Sequence, residues 1–231
     1  MKVKLLDLIF PKFCLGCGYV GAYLCLPCEL KMKKVKKTCC FYCEKPSLFG
    51  LTHPKCRQKK GIDGYLSIYL YEGLFKKLLH ESKYKGAYGI LRTLLRFPQQ
   101  KIFQNLDRWS NLFKPKIISV PLHPQRIKER GFNQSEIITE HYFSSLIYTN
   151  TNHDINCLER KINTKHLANI TNKYKRKLYI KGAFAFTGKD IPKSVLLIDD
   201  VITSGSTILE CSKVLKENGV QTVLAFSLAK G

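Results

Sequence analysis

Eight of the chain's ten cysteines fall within its first 56 residues. Seven of them, with one histidine, are spaced in pairs: Cys14-x2-Cys17, Cys25-x2-Cys28, Cys40-x2-Cys43 and His53-x2-Cys56. A C-x2-C turn lets two thiolates converge on one cation, and two such turns complete a tetrahedron around zinc. Cys14, Cys17, Cys25, Cys28, Cys40, Cys43, His53 and Cys56 make two sets of four, so one or two structural zinc ions are expected. Spacing alone leaves open which pairs share an ion. It also leaves Cys39 either as a surplus thiol or as a substitute for Cys40 after a one-residue shift. Disulfides would require a secreted chain, and a redox C-x-x-C would be one pair beside a βαβ unit, not four in tandem. Closed sets keep no ligand position for a substrate, so the expected role is structural. A segment too small for its own core would draw its folding free energy from the metal.

The second chemical signal is Val195-Leu-Leu-Ile-Asp199-Asp200-Val-Ile-Thr203-Ser204-Gly205-Ser206-Thr207. Four apolar residues read as a central strand, two adjacent acids follow at its carboxyl end, and a Gly/Ser/Thr loop leads into a helix. Backbone N–H groups and hydroxyls at a helix N-terminus make a site for a phosphate dianion. The carboxylates one step upstream can accept hydrogen bonds from sugar hydroxyls. Phosphate and diol side by side describe a 5-phosphoribosyl group. As plain structure, the loop would be an ordinary N-cap. Two acids at a buried strand end, with no obvious partner in the local sequence, speak against that.

These residues need a scaffold, and past residue 60 the texture alternates between strand and helix. Strands are expected at Tyr65 to Tyr71, Lys116 to Val120, Ala183 to Thr187, Ser194 to Ile198 and Gln221 to Leu228. Helices are expected at Leu74 to Tyr84, Ile90 to Phe97, 133–147 and Thr207 to Asn218. The stretch 148–180 is polar and without a period, and no element is assigned to most of it. Alternation of this kind implies an α/β fold, a mainly parallel sheet flanked by helices, with ligands bound at the carboxyl ends of its strands. The expected division is a cysteine-rich zinc-ribbon domain over 1–60 and the α/β domain over 61–231.

Lysine and arginine number 39 against 17 acids, a formal charge of +22. Such a field attracts polyanions, chiefly nucleic acid and secondarily acidic membrane surfaces. The lysine run 31–37 between the cysteine pairs could touch nucleic acid or a partner, or could equally be a solvated face. No stretch approaches the ~20 consecutive apolar residues of a membrane-spanning helix. The first residues, MKVKLLDLIFPKFCLGC, have Asp7 inside their apolar part and no small-residue cleavage site, so a cytoplasmic location is expected.

The thirteen-residue stretch resembles the signature of the type I phosphoribosyltransferases at every position. Val120-Pro-Leu-His-Pro-Gln-Arg126-Ile-Lys-Glu-Arg130-Gly-Phe-Asn-Gln134 is similar to the RGFNQ segment of the ComF family of competence proteins. Lys83-Tyr-Lys-Gly86, Gly182-Ala-Phe184 and the tandem cysteine pairs, which match a double zinc ribbon, carry the same resemblance over nearly the whole chain. The chain departs from the family pattern at Arg160–Leu167, which lacks a glutamine, at Arg176-Lys-Leu-Tyr179, and in its last pair, where His53 stands for a cysteine.

The resemblance implies phosphoribosyl diphosphate as ligand, with Mg²⁺ bridging its diphosphate and ribose. Asp199 and Asp200, the candidate catalytic pair, would hold the ribose hydroxyls, and Thr203, Ser204, Gly205, Ser206 and Thr207 the 5-phosphate. Arg126 and Arg130 would face the diphosphate; His123 is a weaker candidate. It further implies a DNA-handling protein of natural transformation that binds incoming single-stranded DNA on the cytoplasmic side. Lys83, Tyr84, Lys85, Tyr88, Arg126 and Arg130 are the candidate contacts, since single-strand binding wants cations interleaved with stacking platforms. Two alternatives stay open: an active phosphoribosyltransferase with an unidentified acceptor, and an adaptor whose zinc ribbon docks a DNA-uptake helicase or another competence protein. A peripheral membrane contact fits the same charge.

Overall fold

Residues 11–84, 87–97, 99–149, 157–164 and 173–231 are described by the computed structural model. Its cysteine-rich part repeats one design twice. In the first copy the chain turns through Cys14–Cys17 into left-handed Gly18 (φ 76°), whose N–H donates to Cys14 O at 2.8 Å. In the second, Cys40–Cys43 turns into left-handed Glu44 (φ 57°), whose N–H donates to Cys40 O at 2.9 Å. Each copy is completed by a short helical turn with a proline in its first two positions, where a missing N–H costs little. Cys25 caps helix α1 (Leu26–Leu30), and His53 caps a 3₁₀ turn over Pro54–Cys56.

The next segment builds the sheet. Strand β1 (Gly64–Leu70) is followed by helices α2 (Gly73–Glu81), α3 (Tyr88–Leu95) and α4 (Gln100–Phe113), then β2 (Lys116–Ser119), α5 (Pro124–Arg130) and α6 (Gln134–Thr149). After β3 (Leu158–Arg160) come α7 (Lys173–Ile180), β4 (Phe184–Phe186), β5 (Ser194–Ile202), α8 (Ser206–Glu217) and β6 (Thr222–Lys230). The main sheet has the order β1-β6-β5-β2 and all three pairings are parallel; β3 and β4 form a separate antiparallel pair. Alternate residues of the central strands enter two buried cores. Leu196, Ile198, Leu224 and Phe226 meet α2, α3, α4 and α6, while Val195, Leu197, Val223 and Ala225 meet α8 and β4. Both faces are covered, which is why these strands read as continuous apolar runs.

The structure departs from the sequence reading in several places. No expected element covers α5, the short helix that follows β2. None of the expected elements covers α4, although Ile102, Leu106 and Trp109, all buried, follow helical spacing between polar neighbours. Strand β5 does not stop at Ile198. Its pairing with β6 continues through Asp199 opposite Ser227 to Ile202 opposite Lys230, so both acids lie within the strand. The polar stretch contributes β3 and α7, because Leu158 and Ile180 are anchored in the second core. Among the described residues no helix is long and apolar enough to cross a membrane.

The cysteine-rich part is tied to the sheet along the edge of β1. Val35 N–H donates to Ile68 O and Leu70 N–H to Lys33 O, both at 2.9 Å, which blunts an otherwise open edge. Cys14, Leu24, Cys28 and Met32 join the same core as Leu66 and Ile68. Beneath this seam lies Glu29, 2% exposed, accepting from Tyr69 Oη at 3.2 Å and from Lys34 Nζ at 2.6 Å. Much of the lysine run is thereby placed: Lys34 on Glu29, Lys33 on Glu72 at 2.7 Å, with Lys31, Lys36 and Lys37 exposed. Removing the Glu29 charge alone leaves Lys34 without its buried counterion. Glu29→Gln is expected to lower the urea-unfolding free energy by about 1–3 kcal/mol. Adding Lys34→Met should recover most of that loss, and equal values for the two variants would contradict the pairing.

Candidate functional site

Folding gathers the candidate metal ligands into the two sets that spacing left open. Cys14, Cys17, Cys25 and Cys28 form one set and Cys40, Cys43, His53 and Cys56 the other, with all ligand atoms of a set within 4.8 Å of one another. Zinc–sulfur bonds of ~2.3 Å at tetrahedral angles need sulfurs about 3.8 Å apart. Cys17 Sγ and Cys25 Sγ are separated by 3.6 Å, and Cys43 Sγ lies 3.3 Å from His53 Nδ1. The other ring nitrogen, Nε2, lies 3.1 Å from Pro46 O, so a proton there donates to the carbonyl and leaves Nδ1 free as a ligand. Cys39 stands outside both sets, with its thiol directed at Lys37 O. Register is settled in favour of Cys40.

The electrostatics of the sets ask for a cation. Burial raises the Cys14 thiol, yet the N–H groups of Cys25, Cys17 and Gly16 outweigh it and bring the group down to about 6. Cys28 is pushed up to about 12, first by Cys17 and Cys25, and Cys56 to about 11, first by Cys43. Each set thus readily holds one thiolate and resists the next, the situation a dication relieves. Both sets have the chemistry to hold zinc.

At the carboxyl ends of the strands, the acid pair collects partners from distant segments. Asp199 Oδ1 accepts from Ser135 Oγ (3.3 Å) at the start of α6 and from Asp200 N–H (2.8 Å). Asp200 Oδ1 accepts from Val201 N–H at 2.7 Å, and its Oδ2 lies 2.8 Å from Lys83 Nζ, just beyond α2. Burial, then the Asp200 charge, holds the Asp199 carboxyl up to about 7. Burial also pushes Asp200 upward, but Lys83, Arg130 and the Val201 N–H together carry it below its ordinary value.

Two cavities meet at this pair. A 400 Å³ cavity is lined by Lys76, Lys83, both acids and Thr203 through Thr207. Its loop turns at Gly205 (φ 73°), an N-cap without a side chain of its own, and Ser206 N–H, the first of α8, donates to Ser204 Oγ at 3.4 Å. Ser204 Oγ and Ser206 Oγ lie 2.9 Å apart in the same loop. A 180 Å³ cavity on the other side is lined by Lys83, Arg126, Arg130 and Arg160 together with Gln134, Ser135, Asn163 and Thr164. Gln134 Nε2 and Arg160 Nε are buried donors without an acceptor among the described residues. Burial, joined by the Arg126 charge, holds the Arg130 and Arg160 guanidinium groups below their ordinary values. Crowded cations and orphaned donors suit a polyanionic group such as a diphosphate.

The structure therefore brings Asp199, Asp200, Thr203, Ser204, Gly205, Ser206, Thr207, Arg126 and Arg130 to one site. Lys83 joins them on Asp200. Tyr84 is 57% exposed away from both cavities, and Tyr88 packs its ring against Phe132 and under Arg92. Lys85 lies outside the described residues. His123 caps α5 by accepting from Gln125 N–H. Sequence reasoning did not assign Arg160, Gln134 or Ser135 to the site. Arg160 gave one local signal, a hydroxyl four residues on: its Nη2 donates to Thr164 Oγ1.

The class is thus an α/β protein with an acid pair under a cationic cavity and two zinc-type ligand sets ahead of it. Over 213 residues the chain is 30% identical to competence protein F of Haemophilus influenzae, spanning 90% of each. It is 26% identical over 213 residues to competence protein ComFC of Streptococcus pneumoniae, covering 90% of this chain and 87% of the relative. It is also 27% identical over 219 residues to DNA utilization protein YhgH of Shigella flexneri, covering 94% and 93%. No family model matches the sequence. This chain belongs to the ComF family of competence proteins.

Elemental analysis of the purified chain is expected to return about two zinc per molecule, as two closed sets require. His53→Ala should leave about one, whereas an unchanged count would remove His53 from the ligand set. A second outcome follows from Asp199. A carboxyl whose folded value is raised stabilises the fold while protonated and loses that contribution as pH rises from about 4 through about 7. Asp199→Asn should therefore raise the Tm of the ligand-free chain by a few degrees near pH 8 and by little near pH 4. A pH-independent difference would contradict the raised carboxyl.

Proposed function

We propose that this chain handles DNA in natural transformation, binding incoming single-stranded DNA on the cytoplasmic side and phosphoribosyl diphosphate, with Mg²⁺, at the site around Asp199 and Asp200. The observation that carries the ligand assignment is one acid pair shared by two cavities. A phosphate-type loop lies on one side and Lys83, Arg126, Arg130 and Arg160 on the other. A 5-phosphoribosyl diphosphate has this order of groups: monophosphate, ribose diol, diphosphate. Asp199 and Asp200 accept from the ribose hydroxyls, the α8 N-terminus and the loop hydroxyls take the monophosphate, and the guanidinium groups take the diphosphate. Magnesium would neutralise diphosphate charge, and the same two carboxylates are the groups that would hold it. Lys83 then exchanges an internal partner for the ligand's phosphates.

The DNA reading is supported by the +22 charge and by the names of two relatives, a competence protein and a DNA utilization protein. A second reading, transfer of the phosphoribosyl group to an unidentified acceptor, is favoured by the intact acid pair. Displacement at the anomeric carbon would pass through an oxocarbenium-like state, and the cations around the diphosphate would stabilise it as it leaves. The adaptor reading draws on the first cysteine set, which exposes Phe13, Tyr19, Val20, Leu26 and Leu30.

The test is a titration of single-stranded DNA against the chain, with and without phosphoribosyl diphosphate and Mg²⁺, at about 50 and about 200 mM salt. DNA affinity is expected to fall at least ~tenfold across that range. The diphosphate should bind the wild-type chain but not an Asp199→Ala, Asp200→Ala double variant, whose DNA binding stays salt-sensitive. Salt-independent DNA binding would sink the phosphate-contact reading, and equal diphosphate binding by the double variant would sink the site.

A further inference from the structure

The second metal turn touches the phosphate-type loop through one side chain. Phe41 stands between the ligands Cys40 and Cys43, and its ring lies on Gly205: a Cβ built there would fall 2.3 Å from the ring's Cζ. Glycine at 205 is required twice over, by its positive φ and by this ring. The ring is held edge-on to Tyr42 (5.1 Å) and Tyr65 (5.7 Å). Tyr42 Oη accepts from Ile62 N–H at 2.9 Å, fixing the turn to the approach to β1. Tyr65 Oη lies 2.9 Å from Ser227 Oγ, on the residue opposite Asp199. A 610 Å³ cavity beside Phe41, lined also by Lys37, Cys39, Thr203 and Ser204, gives the ring space to leave the loop when the turn is not held.

We propose that Phe41 is a positioning residue for the phosphate-type loop, and that it couples the second metal set to the phosphoribosyl site. The inference rests on the reading that residues 203–207 hold a phosphate. Ligation of Cys40 and Cys43 fixes the backbone on both sides of the ring, and the ring fixes Gly205, from which α8 starts. Filling the metal set therefore pre-orders the loop, and a ligand in the loop holds the turn in its metal-binding form. Linkage makes the two effects equal: whatever factor zinc adds to phosphoribosyl affinity, the phosphoribosyl ligand adds to zinc affinity.

The experiment uses the full zinc-loaded chain and phosphoribosyl diphosphate with Mg²⁺ as probe. Calorimetry is expected to show binding weakened about tenfold in Phe41→Ala and by less than about threefold in Phe41→Leu, which keeps most of the packing. Salt-dependent DNA affinity and a zinc content of two per chain should be unchanged in both variants. In the wild-type chain, where no folding defect can intervene, the diphosphate should slow chelator removal of the zinc that His53→Ala lacks. It should leave the other zinc unaffected, and Phe41→Ala should abolish the difference. Wild-type-like affinity in Phe41→Ala, or zinc removal indifferent to the diphosphate, would overturn the coupling while leaving the phosphoribosyl reading intact. Failure of the wild-type chain to bind the diphosphate would overturn both.

Discussion

Two adjacent carboxylates within the last paired stretch of a central strand set the terms for the rest of this molecule. A buried charge must be paired or neutralised, and β5 supplies no cation of its own between Ser194 and Ile202. Lys83 arrives from beyond α2, Ser135 from the start of α6, and Arg130 from the end of α5. The pair resolves its repulsion unevenly, with Asp200 ionised against Lys83 and Asp199 drawn toward its protonated form. That asymmetry is what a ligand carrying both hydroxyls and anionic groups would meet: one carboxylate ready to accept, and cations close by.

The cysteine-rich part solves a different problem with little apolar material. Its two sets repeat one backbone plan, a left-handed residue after the first pair and a short helical turn with an early proline through the second. Glycine takes the left-handed position in the first turn, while Glu44 tolerates it in the second. Between the sets, residues 33–35 lie along β1, so the segment that links the two ligand sets also covers the sheet's edge. The cysteine sets, the edge and the phosphate-type loop are therefore in continuous contact, Glu29 on Tyr69 and Phe41 on Gly205 being two of the points of engagement.

What could be read from sequence is what is encoded locally. Pairs of cysteines with two residues between them announce a turn, and an apolar run, two acids and a Gly/Ser/Thr loop announce strand, site and helix. Register within Cys39-Cys40 depended on which thiol the turn aims inward, and that is a three-dimensional property. Gln134 gave no local signal and Arg160 only its spacing to Thr164, for the same reason: each lies far along the chain from Asp199, and only folding brings them to one cavity. Lys83 reads from sequence as a candidate DNA contact, and the counterion that claims it, Asp200, lies far along the chain. Strand β5 outran its expected end because pairing with β6, not side-chain preference, carries it past the acids.

The charge balance separates two scales of anion. Several acids are already matched inside the fold: Glu29 by Lys34, Glu72 by Lys33, Asp63 by Lys216, and Glu217 by Lys60 at 2.5 Å. Pairing of this kind consumes one cation per acid and leaves the +22 excess untouched. The cavity beside Asp199 accounts for Lys83, Arg126, Arg130 and Arg160, against two carboxylates. A small phosphorylated ligand therefore needs only a minor fraction of the surplus. The remainder includes exposed lysines such as Lys31, Lys36, Lys37, Lys128, Lys161, Lys181, Lys189 and Lys193, spread along the chain. Distributed charge does little for a compact ligand at one pocket, since fields are screened beyond about 8–10 Å at physiological salt. It acts on a long partner that can lie across many such patches at once, and a nucleic-acid strand has that length and that sign.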